Sequence, residues 1–355
     1  MPTLTRRDRV AQGANQGGAL KYGAAHRWPL PAPGVFELFA INPASRATVA
    51  DPLTHYIRGI TSWAGDGTTK LYMGYGSISA NLAPIHIVPL NLNGTWDATV
   101  WDFNAFALQR FVHFSTGEML ATGIDGPSDW VRAIPGSPPV WIDGWCTPAG
   151  YKHPMSLVEH DGYVWVSGGG TLGPGFGSVW RGKHITGNDG EFVLGSEFGW
   201  FNTCLFSYQG KLWFQPYYGD NGVTPTFLRY WVEASKSWVV TTIDLNKGAV
   251  LPIEPWGSLM LMLMDGKMYS FNGTTATLRY TSSLGGINDF CVDASNNVWL
   301  VEGNASTSTI RRSSDLVTWK VVAQFPEQSY SIHVLDGIMY LGDRFDSVWR
   351  GLPLP

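Results

Sequence analysis

The chain has 355 residues, a formal net charge of −4 and only 15% charged residues. This balance argues against nonspecific nucleic-acid binding by the body of the protein, and no apolar run approaches the length of about 18 residues that a membrane span needs. The N-terminus lacks the continuous apolar segment of a secretory signal, and the three widely separated cysteines show no zinc or disulfide spacing.

The first 34 residues differ from the rest of the chain in composition and charge. They are rich in glycine and alanine and end in a proline-rich stretch, and their one acid is outnumbered by five basic residues: Arg6, Arg7, Arg9, Lys21 and Arg27. Residues 1–34 therefore carry +4 and residues 35–355 carry −8. Proline-rich spacing predicts an extended arm rather than a domain. A flexible tail is the alternative, but we expect a basic arm that docks on a partner or on a neighbouring copy.

A hairpin phrase recurs along the remaining chain. In Val158–Trp165 it comprises a strand, a tight Asp-Gly turn and a second strand that carries an aromatic residue. Asp-Gly between apolar runs is a strong hairpin signal, because both residues tolerate the positive φ of a type I′ turn. Complete and degenerate copies give seven turn positions: Thr69, Gly117, Gly162, Gly210, Gly266, Asn296 and Gly337.

A second phrase repeats with the same period. Between 13 and 19 residues past a turn position comes a β-branched or aromatic segment that ends in arginine, at Arg132, Arg181, Arg229, Arg279, Arg311 and Arg350. A tryptophan often follows it, at Trp96, Trp141, Trp238 and Trp319. Each unit therefore contains four predicted strands, and the turn positions are separated by 48, 45, 48, 56, 30 and 41 residues. Four strands at this period are typical of a β-propeller blade, so the sequence predicts an all-β, seven-bladed propeller over residues 35–355.

The two ends of this region complement each other. The last unit ends at Pro355 after its arginine strand and lacks a fourth strand, whereas Val35–Ile41 reads Val-Phe-Glu-Leu-Phe-Ala-Ile and precedes the first unit. We expect this N-terminal strand to complete the last blade, which would close the ring and remove the open sheet edges of the terminal blades.

The loops between the second and third strands of the units vary most in length and composition. Variation on one face of a propeller is where recognition usually resides. Two of these loops carry aromatic residues that we consider candidates for stacking on a sugar or contacting a partner: Phe176, Tyr217 and Tyr218.

The segment from Ser313 to Trp319 resembles the Asp-box turn of sialidase-like propellers, although it is one residue shorter and lacks the glycine. The serine and aspartate of such a turn hydrogen-bond their own backbone, so the resemblance implies a fold element rather than an active site. The regular arginines recur at one strand position, and we expect them to stack on aromatic side chains rather than to converge on a ligand. We find no nucleophile–base pair, and we predict no catalytic residue, no metal site and no cofactor.

The repeat style across residues 35–355 also resembles the propellers found in structural proteins of tailed bacteriophages. That resemblance implies a non-enzymatic assembly protein of a virion, in the tail, the tail tip or a head-attached part. Its partners would be other structural proteins in multiple copies, and neither specific nucleic-acid binding nor membrane insertion is expected. The chain would be made in the host cytoplasm without a secretion signal. A carbohydrate-binding or sialidase-like glycan-processing propeller, used for host attachment, is the alternative.

Overall fold

The computed structural model describes fifteen segments of the chain. They are residues 31–41, 55–77, 85–97, 101–103, 108–123, 130–144, 151–170, 178–183, 191–194, 201–217, 227–244, 252–264, 266–304, 306–343 and 347–355. No helix in these segments has the length and hydropathy needed to cross a membrane.

The described residues form seven four-stranded antiparallel sheets. Blade 1 contains β2 (His55–Trp63), β3 (Lys70–Ser77), β4 (Ile85–Asn91) and β5 (Trp101–Phe103); blade 2 contains β6 (Leu108–His113), β7 (Met119–Gly123), β8 (Trp130–Ile134) and β9 (Val140–Gly144); blade 3 contains β10 (Tyr151–His160), β11 (Tyr163–Gly170), β12 (Ser178–Gly182) and β13 (Glu191–Leu194). Blade 4 contains β14 (Phe201–Tyr208), β15 (Lys211–Tyr217), β16 (Phe227–Val232) and β17 (Ser237–Asp244); blade 5 contains β18 (Ile253–Trp256), β19 (Leu259–Met264), β20 (Lys267–Phe271) and β21 (Ala276–Thr281); blade 6 contains β22 (Ile287–Val292), β23 (Val298–Gly303), β24 (Ser308–Ser313) and β25 (Lys320–Phe325). Blade 7 contains β26 (Ser329–Leu335), β27 (Ile338–Asp343), β28 (Ser347–Gly351) and, as its outer strand, β1 (Phe36–Ile41).

The predicted seven-bladed propeller is thus confirmed, and so is its closure. Strand β1 pairs with β28 in antiparallel register, with Phe36 opposite Gly351 and Ile41 opposite Ser347. The chain therefore completes its last blade with its first described strand. The outer position of blade 7 is thus filled as in the other six blades, and β1 forms the outer edge of that sheet.

The hairpin turns explain why the repeat could be recognised. Asp161 and Gly162 both have positive φ, at 49° and 73°, and Asp336 and Gly337 repeat the pattern at 52° and 77°. Two successive residues with positive φ match the right-handed twist of the flanking strands, which is the property that selects Asp-Gly there.

Blade 5 departs from the predicted register. Its first two strands are joined at Gly257, which has a φ of 56°, whereas Gly266 lies between the second and third strands. As a result the segment that ends in Arg279 belongs to the fourth strand of the blade instead of the third. Two of the predicted tryptophan positions also shift, because Trp96 forms only an isolated bridge to Leu90 before β5, and Trp319 directly precedes β25.

The core lies between adjacent blades. The second and third strands supply most of the largest buried side chains, and five of their tryptophans are almost fully buried: Trp130, Trp165, Trp180, Trp213 and Trp299. Burying each such side chain contributes about 1.5–3 kcal/mol. This packing fixes the angle between neighbouring blades and therefore positions the seven first strands around the axis.

The turn between β24 and β25 has the side-chain hydrogen bonds expected from its sequence. Oδ1 of Asp315 accepts hydrogen bonds from the backbone amides of Val317 at 2.8 Å and Thr318 at 2.7 Å, and Oγ of Ser313 accepts one from Leu316 at 2.8 Å. These amides hold the pKa of Asp315 at about 2. The turn therefore stabilises the fold, and it joins the two outer strands of blade 6, away from the axis.

Candidate functional site in the axial channel

The first strands of the blades surround two cavities on the axis of the propeller. The larger, of about 520 Å³, is lined by strands β2, β6, β18, β22 and β26. The smaller, of about 320 Å³, is lined mainly by β6, β10, β14 and β18, and it shares Phe111, His113 and Glu254 with the larger one. Together the two cavities are bordered by the first strand of every blade, so we treat them as one axial channel.

Two histidines reach the larger cavity from either side of strand β2. Nε2 of His113, on β6, lies 2.7 Å from Oγ1 of Thr61. Nε2 of His333, on β26, lies 3.0 Å from Oγ of Ser62. Successive residues of a strand point to opposite faces, so Thr61 and Ser62 orient one histidine from each neighbouring blade. These hydrogen bonds use Nε2 and leave Nδ1 as the second nitrogen of each ring.

Burial keeps both axial histidines neutral at neutral pH. Desolvation lowers the pKa of His113 below its usual value. The pKa of His333 falls to about 4, first through burial and then through the like charge that His113 would carry. Because a proton on His113 disfavours a second proton on His333, His113 is the histidine that takes up the first proton.

Two carboxylates reach the same cavity from blades 5 and 6. Glu254 lies on β18 and Asp289 on β22, and both line the cavity. Oδ2 of Asp289 also accepts a hydrogen bond from the backbone amide of Ile332 at 2.9 Å, which fixes the carboxylate against blade 7. Burial and the charges of both carboxylates raise the pKa of the neighbouring Cys291 thiol, which therefore stays protonated and unreactive.

Among the described residues, the two carboxylates are the charged groups that line the larger cavity. Among the described residues its wall contains Glu254 and Asp289 but no lysine or arginine, and the remaining polar groups are hydroxyls, an amide, a thiol and the two histidines. Within the described residues, no three of the histidine, cysteine, aspartate and glutamate side chains are placed to hold a metal ion together. The histidines can accept and donate protons, and the carboxylates can offset the positive charge of a protonated histidine.

The regular arginines do not reach this channel. Arg181 is 4% exposed in its side chain, pairs with Glu233 at 2.5 Å and lies 4.5 Å from the ring centre of Tyr163. Arg311 pairs with Glu302 at 2.5 Å and faces the ring of Tyr280. The expected stacking on aromatic rings is therefore present at Arg181 and Arg311, and it is accompanied by carboxylate pairing that the sequence did not indicate.

The other candidate residues from the sequence are not tested by the structure. The basic residues proposed for docking lie outside the described residues: Arg6, Arg7, Arg9, Lys21 and Arg27. Phe176 and Tyr218 also lie outside them, and Tyr217 ends strand β15 with a side chain that is not described.

The sequence did not indicate any of the four ionisable residues of the channel, which are His113, His333, Glu254 and Asp289. The histidines are scattered in the sequence, and His113 and His333, on blades 2 and 7, come together only through ring closure. One signal was available, since each lies four positions before a turn glycine, Gly117 and Gly337 respectively. A polar residue at that position in an apolar first strand, repeated in two units, indicates a side chain near the axis.

Solved structures with the same fold were found, although no protein-family model and no curated sequence matches the chain. A catalytically inactive virginiamycin B lyase from Staphylococcus aureus, solved with quinupristin, has a TM-score of 0.59 at 14% identity and covers 85% of this chain and 96% of its own. A streptogramin B lyase has a TM-score of 0.57 at 13% identity, with coverages of 89% and 96%. YCF48 from Cyanidioschyzon merolae has a TM-score of 0.54 at 14% identity, with coverages of 86% and 97%.

These similarities establish the fold, and they correct one expectation. The prediction that the chain is not an enzyme treated a propeller without a recognisable catalytic pattern as an inert scaffold. Two of the structures with this fold are lyases, which overturns that inference. The resemblance to phage propellers gains no support from these three structures.

Proposed function

We propose that the protein is an enzyme that acts on a small polar molecule in the axial channel by general acid–base chemistry. One observation carries the proposal: two histidines and two carboxylates, from four different blades, converge on one cavity of about 520 Å³. Titratable groups that meet in a concave site, here with two histidines whose pKa values burial lowers, are typical of a catalytic centre. The fold similarity to two lyases supports an enzymatic role.

The arrangement assigns different tasks to the two histidines. His113 takes up the first proton of the pair, so we assign it as the group that removes a proton from the substrate and later returns it. His333, with a pKa of about 4, stays neutral and offers a hydrogen bond. When His113 carries the proton, Glu254 and Asp289 stabilise its positive charge across the cavity.

Thr61 and Ser62 act as positioning residues in this scheme. Each hydroxyl holds one imidazole ring at Nε2, which fixes the ring plane and the position of Nδ1. Because both hydroxyls belong to one strand, the two rings keep a constant separation. A ring that is held in this way needs to move little when the substrate binds, which lowers the entropic cost of the reaction.

A library of small polar metabolites tests the proposal. Compounds that raise the melting temperature of the wild-type protein are incubated with it, and their turnover is followed by mass spectrometry. We expect His113→Gln to lower turnover about 100-fold or more. His160→Gln is the matched control, because His160 makes the same kind of contact, 2.8 Å from Oγ of Ser207, but does not line either cavity. Equal losses in both variants would contradict the assignment of His113.

The assembly role predicted from the sequence remains a separate prediction, since its arm, residues 1–34, lies almost wholly outside the described residues. Deleting residues 1–30 should leave a folded propeller that no longer associates with its partner or with other copies. Sedimentation of the full chain and the shortened chain measures this difference. Binding to a glycan array, lost on Tyr217→Ala, would favour the glycan alternative.

A further inference from the structure

We infer that the substrate of the axial channel carries an apolar group, a short alkyl chain or a single aromatic ring, which binds in the smaller cavity while the reacting group lies beside His113. This inference names the substrate class of the site in the proposed function and rests on that function. It follows from the composition of the smaller cavity, from its volume and from the residues that it shares with the larger cavity.

The wall of the smaller cavity is mainly apolar. Nine of the fourteen described residues that line it have apolar side chains. An apolar group that leaves water for such surroundings is stabilised in proportion to the area that it buries. The apolar residues come from the first strands of blades 2, 3, 4 and 5 and from the start of β19, and they include Phe111, Leu157, Leu205, Phe206, Ile253 and Met260.

Two serines of this wall are hydrogen-bonded within the protein. Oγ of Ser156 donates a hydrogen bond to the backbone oxygen of Leu205 and accepts one from the backbone amide of the same residue, both at 3.1 Å. Oγ of Ser207 lies 2.8 Å from Nδ1 of His160. Both contacts join the first strands of blades 3 and 4, so these serines serve the fold and do not require a polar ligand.

The other polar residues of the smaller cavity are Thr122, His113 and Glu254. His113 and Glu254 also line the larger cavity, so they mark the junction of the two. Beyond this junction the larger cavity adds the polar side chains of Thr61, Ser62, Asn288, Asp289, Tyr330 and His333. A substrate whose reacting group lies beside His113 therefore has polar surroundings on one side and mainly apolar surroundings on the other.

The volume of the smaller cavity limits the size of the apolar group. An engineered apolar cavity of about 150 Å³ in another protein binds benzene. The smaller cavity, of about 320 Å³, exceeds that volume and lies at the lower end of the range for ligand pockets, about 300–1,000 Å³. It therefore accommodates one aromatic ring or a chain of several methylene groups.

The test uses primary alcohols from ethanol to 1-hexanol, which share a neutral hydroxyl group and differ in the length of the alkyl chain. Their dissociation constants for the full chain are measured by NMR on protein with carbon-13 in its methionine methyl groups. Each methylene group that enters the cavity should lower the dissociation constant about fourfold.

The methionine signals locate the bound alcohol. The methyl signal of Met260, which lines the smaller cavity, should shift on binding, and Met260→Leu assigns that signal. Met339 is the control, because it is buried in blade 7 and lines neither cavity. A dissociation constant that does not depend on chain length, or binding that leaves the Met260 signal unchanged, would overturn the inference.

Variants that fill the cavity provide a second test. Val158→Phe should weaken binding of 1-hexanol about tenfold or more and change binding of ethanol by less than about twofold, because Val158 lines only the smaller cavity. Ile253→Phe is a second variant with the same expectation, which keeps the test open if the first is unstable. Val164→Phe is the matched control, because Val164 is also half-buried in blade 3 but lines neither cavity. An unchanged affinity for 1-hexanol in both cavity variants, with both folded, would contradict the inference.

The outcomes separate this inference from the function on which it rests. If His113→Gln abolishes turnover of a substrate that has no apolar group, and Val158→Phe leaves its KM unchanged, the enzyme stands and the apolar group is wrong. If the alcohols bind as predicted but no bound compound is ever turned over, the ligand class stands and the catalytic proposal is wrong.

Discussion

The Nε atom of Arg350 lies 2.5 Å from Oε1 of Glu37, although the two residues are 313 positions apart in the sequence. Arg350 is 5% exposed and also faces the ring of Phe39, at 4.8 Å. This pair joins the third strand of blade 7 to the N-terminal strand that completes it. A carboxylate that pairs with a buried arginine stabilises the strand that carries it, so the pair holds the two ends of the ring together.

The closure pair gives the first prediction. Glu37→Gln should lower the free energy of unfolding by about 1–3 kcal/mol, because the carboxylate is partly exposed while the arginine is buried. Hydrogen exchange should quicken in β1 and β28. Glu118→Gln is the matched control, since Glu118 pairs with Arg132 at 2.5 Å inside blade 2. An increase in β1 exchange in the control as large as in Glu37→Gln would contradict a specific role in closure.

The neutral histidine on β26 makes stability depend on pH. The pKa of His333 is about 4 in the folded protein and 6.5 in the reference state. The folded state binds this proton more weakly, so the stability present above about pH 6.5 is lost as the pH falls toward 4. The loss between pH 7 and pH 5 should be about 2 kcal/mol.

Urea unfolding at the two pH values measures this dependence. His333→Gln should reduce the loss by the amount that His333 contributes, while leaving the contributions of His113 and His160, whose pKa values burial also lowers. An identical pH dependence in the wild type and the variant would show that His333 does not titrate in this range.

The Asp315 turn allows a direct measurement of an ionisable group. Amides of Val317 and Thr318 hold the pKa of this carboxyl at about 2. Its contribution to stability is present above the reference value of 3.8 and is lost as the pH falls toward 2. Carbon-detected NMR should report titration near pH 2, and Asp315→Ala should lower the melting temperature at pH 7. A carboxyl that titrates near its reference value would contradict the observed turn geometry.

A glycine at the end of β23 provides a steric prediction. A Cβ atom at Gly303 would lie 2.1 Å from the backbone oxygen of Thr307, which cannot move without breaking the β23–β24 connection. Gly303→Ala should destabilise the protein by about 1–3 kcal/mol. At Gly286 a Cβ atom would meet nothing closer than 4.0 Å, so Gly286→Ala should be nearly neutral. Thermal unfolding of the two variants measures this difference, and equal losses of stability would contradict the close approach at Gly303.

The blade count and the closure could be predicted because they depend on local chemistry. Asp161-Gly162 and Asp336-Gly337 mark hairpins through their own backbone preferences, and the length of each unit then limits it to four strands. Blade 5 was misassigned because its first turn, at Gly257, lacks a preceding aspartate or asparagine, while Asp265-Gly266 supplies that signal one strand later.

The channel could not be predicted in the same way, because its residues are brought together by the ring. His113 and Glu254 lie on different blades, and nothing local to either indicates that they share a cavity. The arginines illustrate the reverse case. Their regular spacing was visible in the sequence, but the carboxylates that pair with them were not. Glu233, the partner of Arg181, lies in the turn between β16 and β17 of the next blade.

The central claim is that the axial channel is the site where this propeller binds its ligand, and crystals soaked with a fragment library test it most directly. The account predicts electron density for bound fragments between Glu254, Asp289 and His113. Fragments that occupy only the outer surfaces of the blades, with the channel holding none, would contradict it.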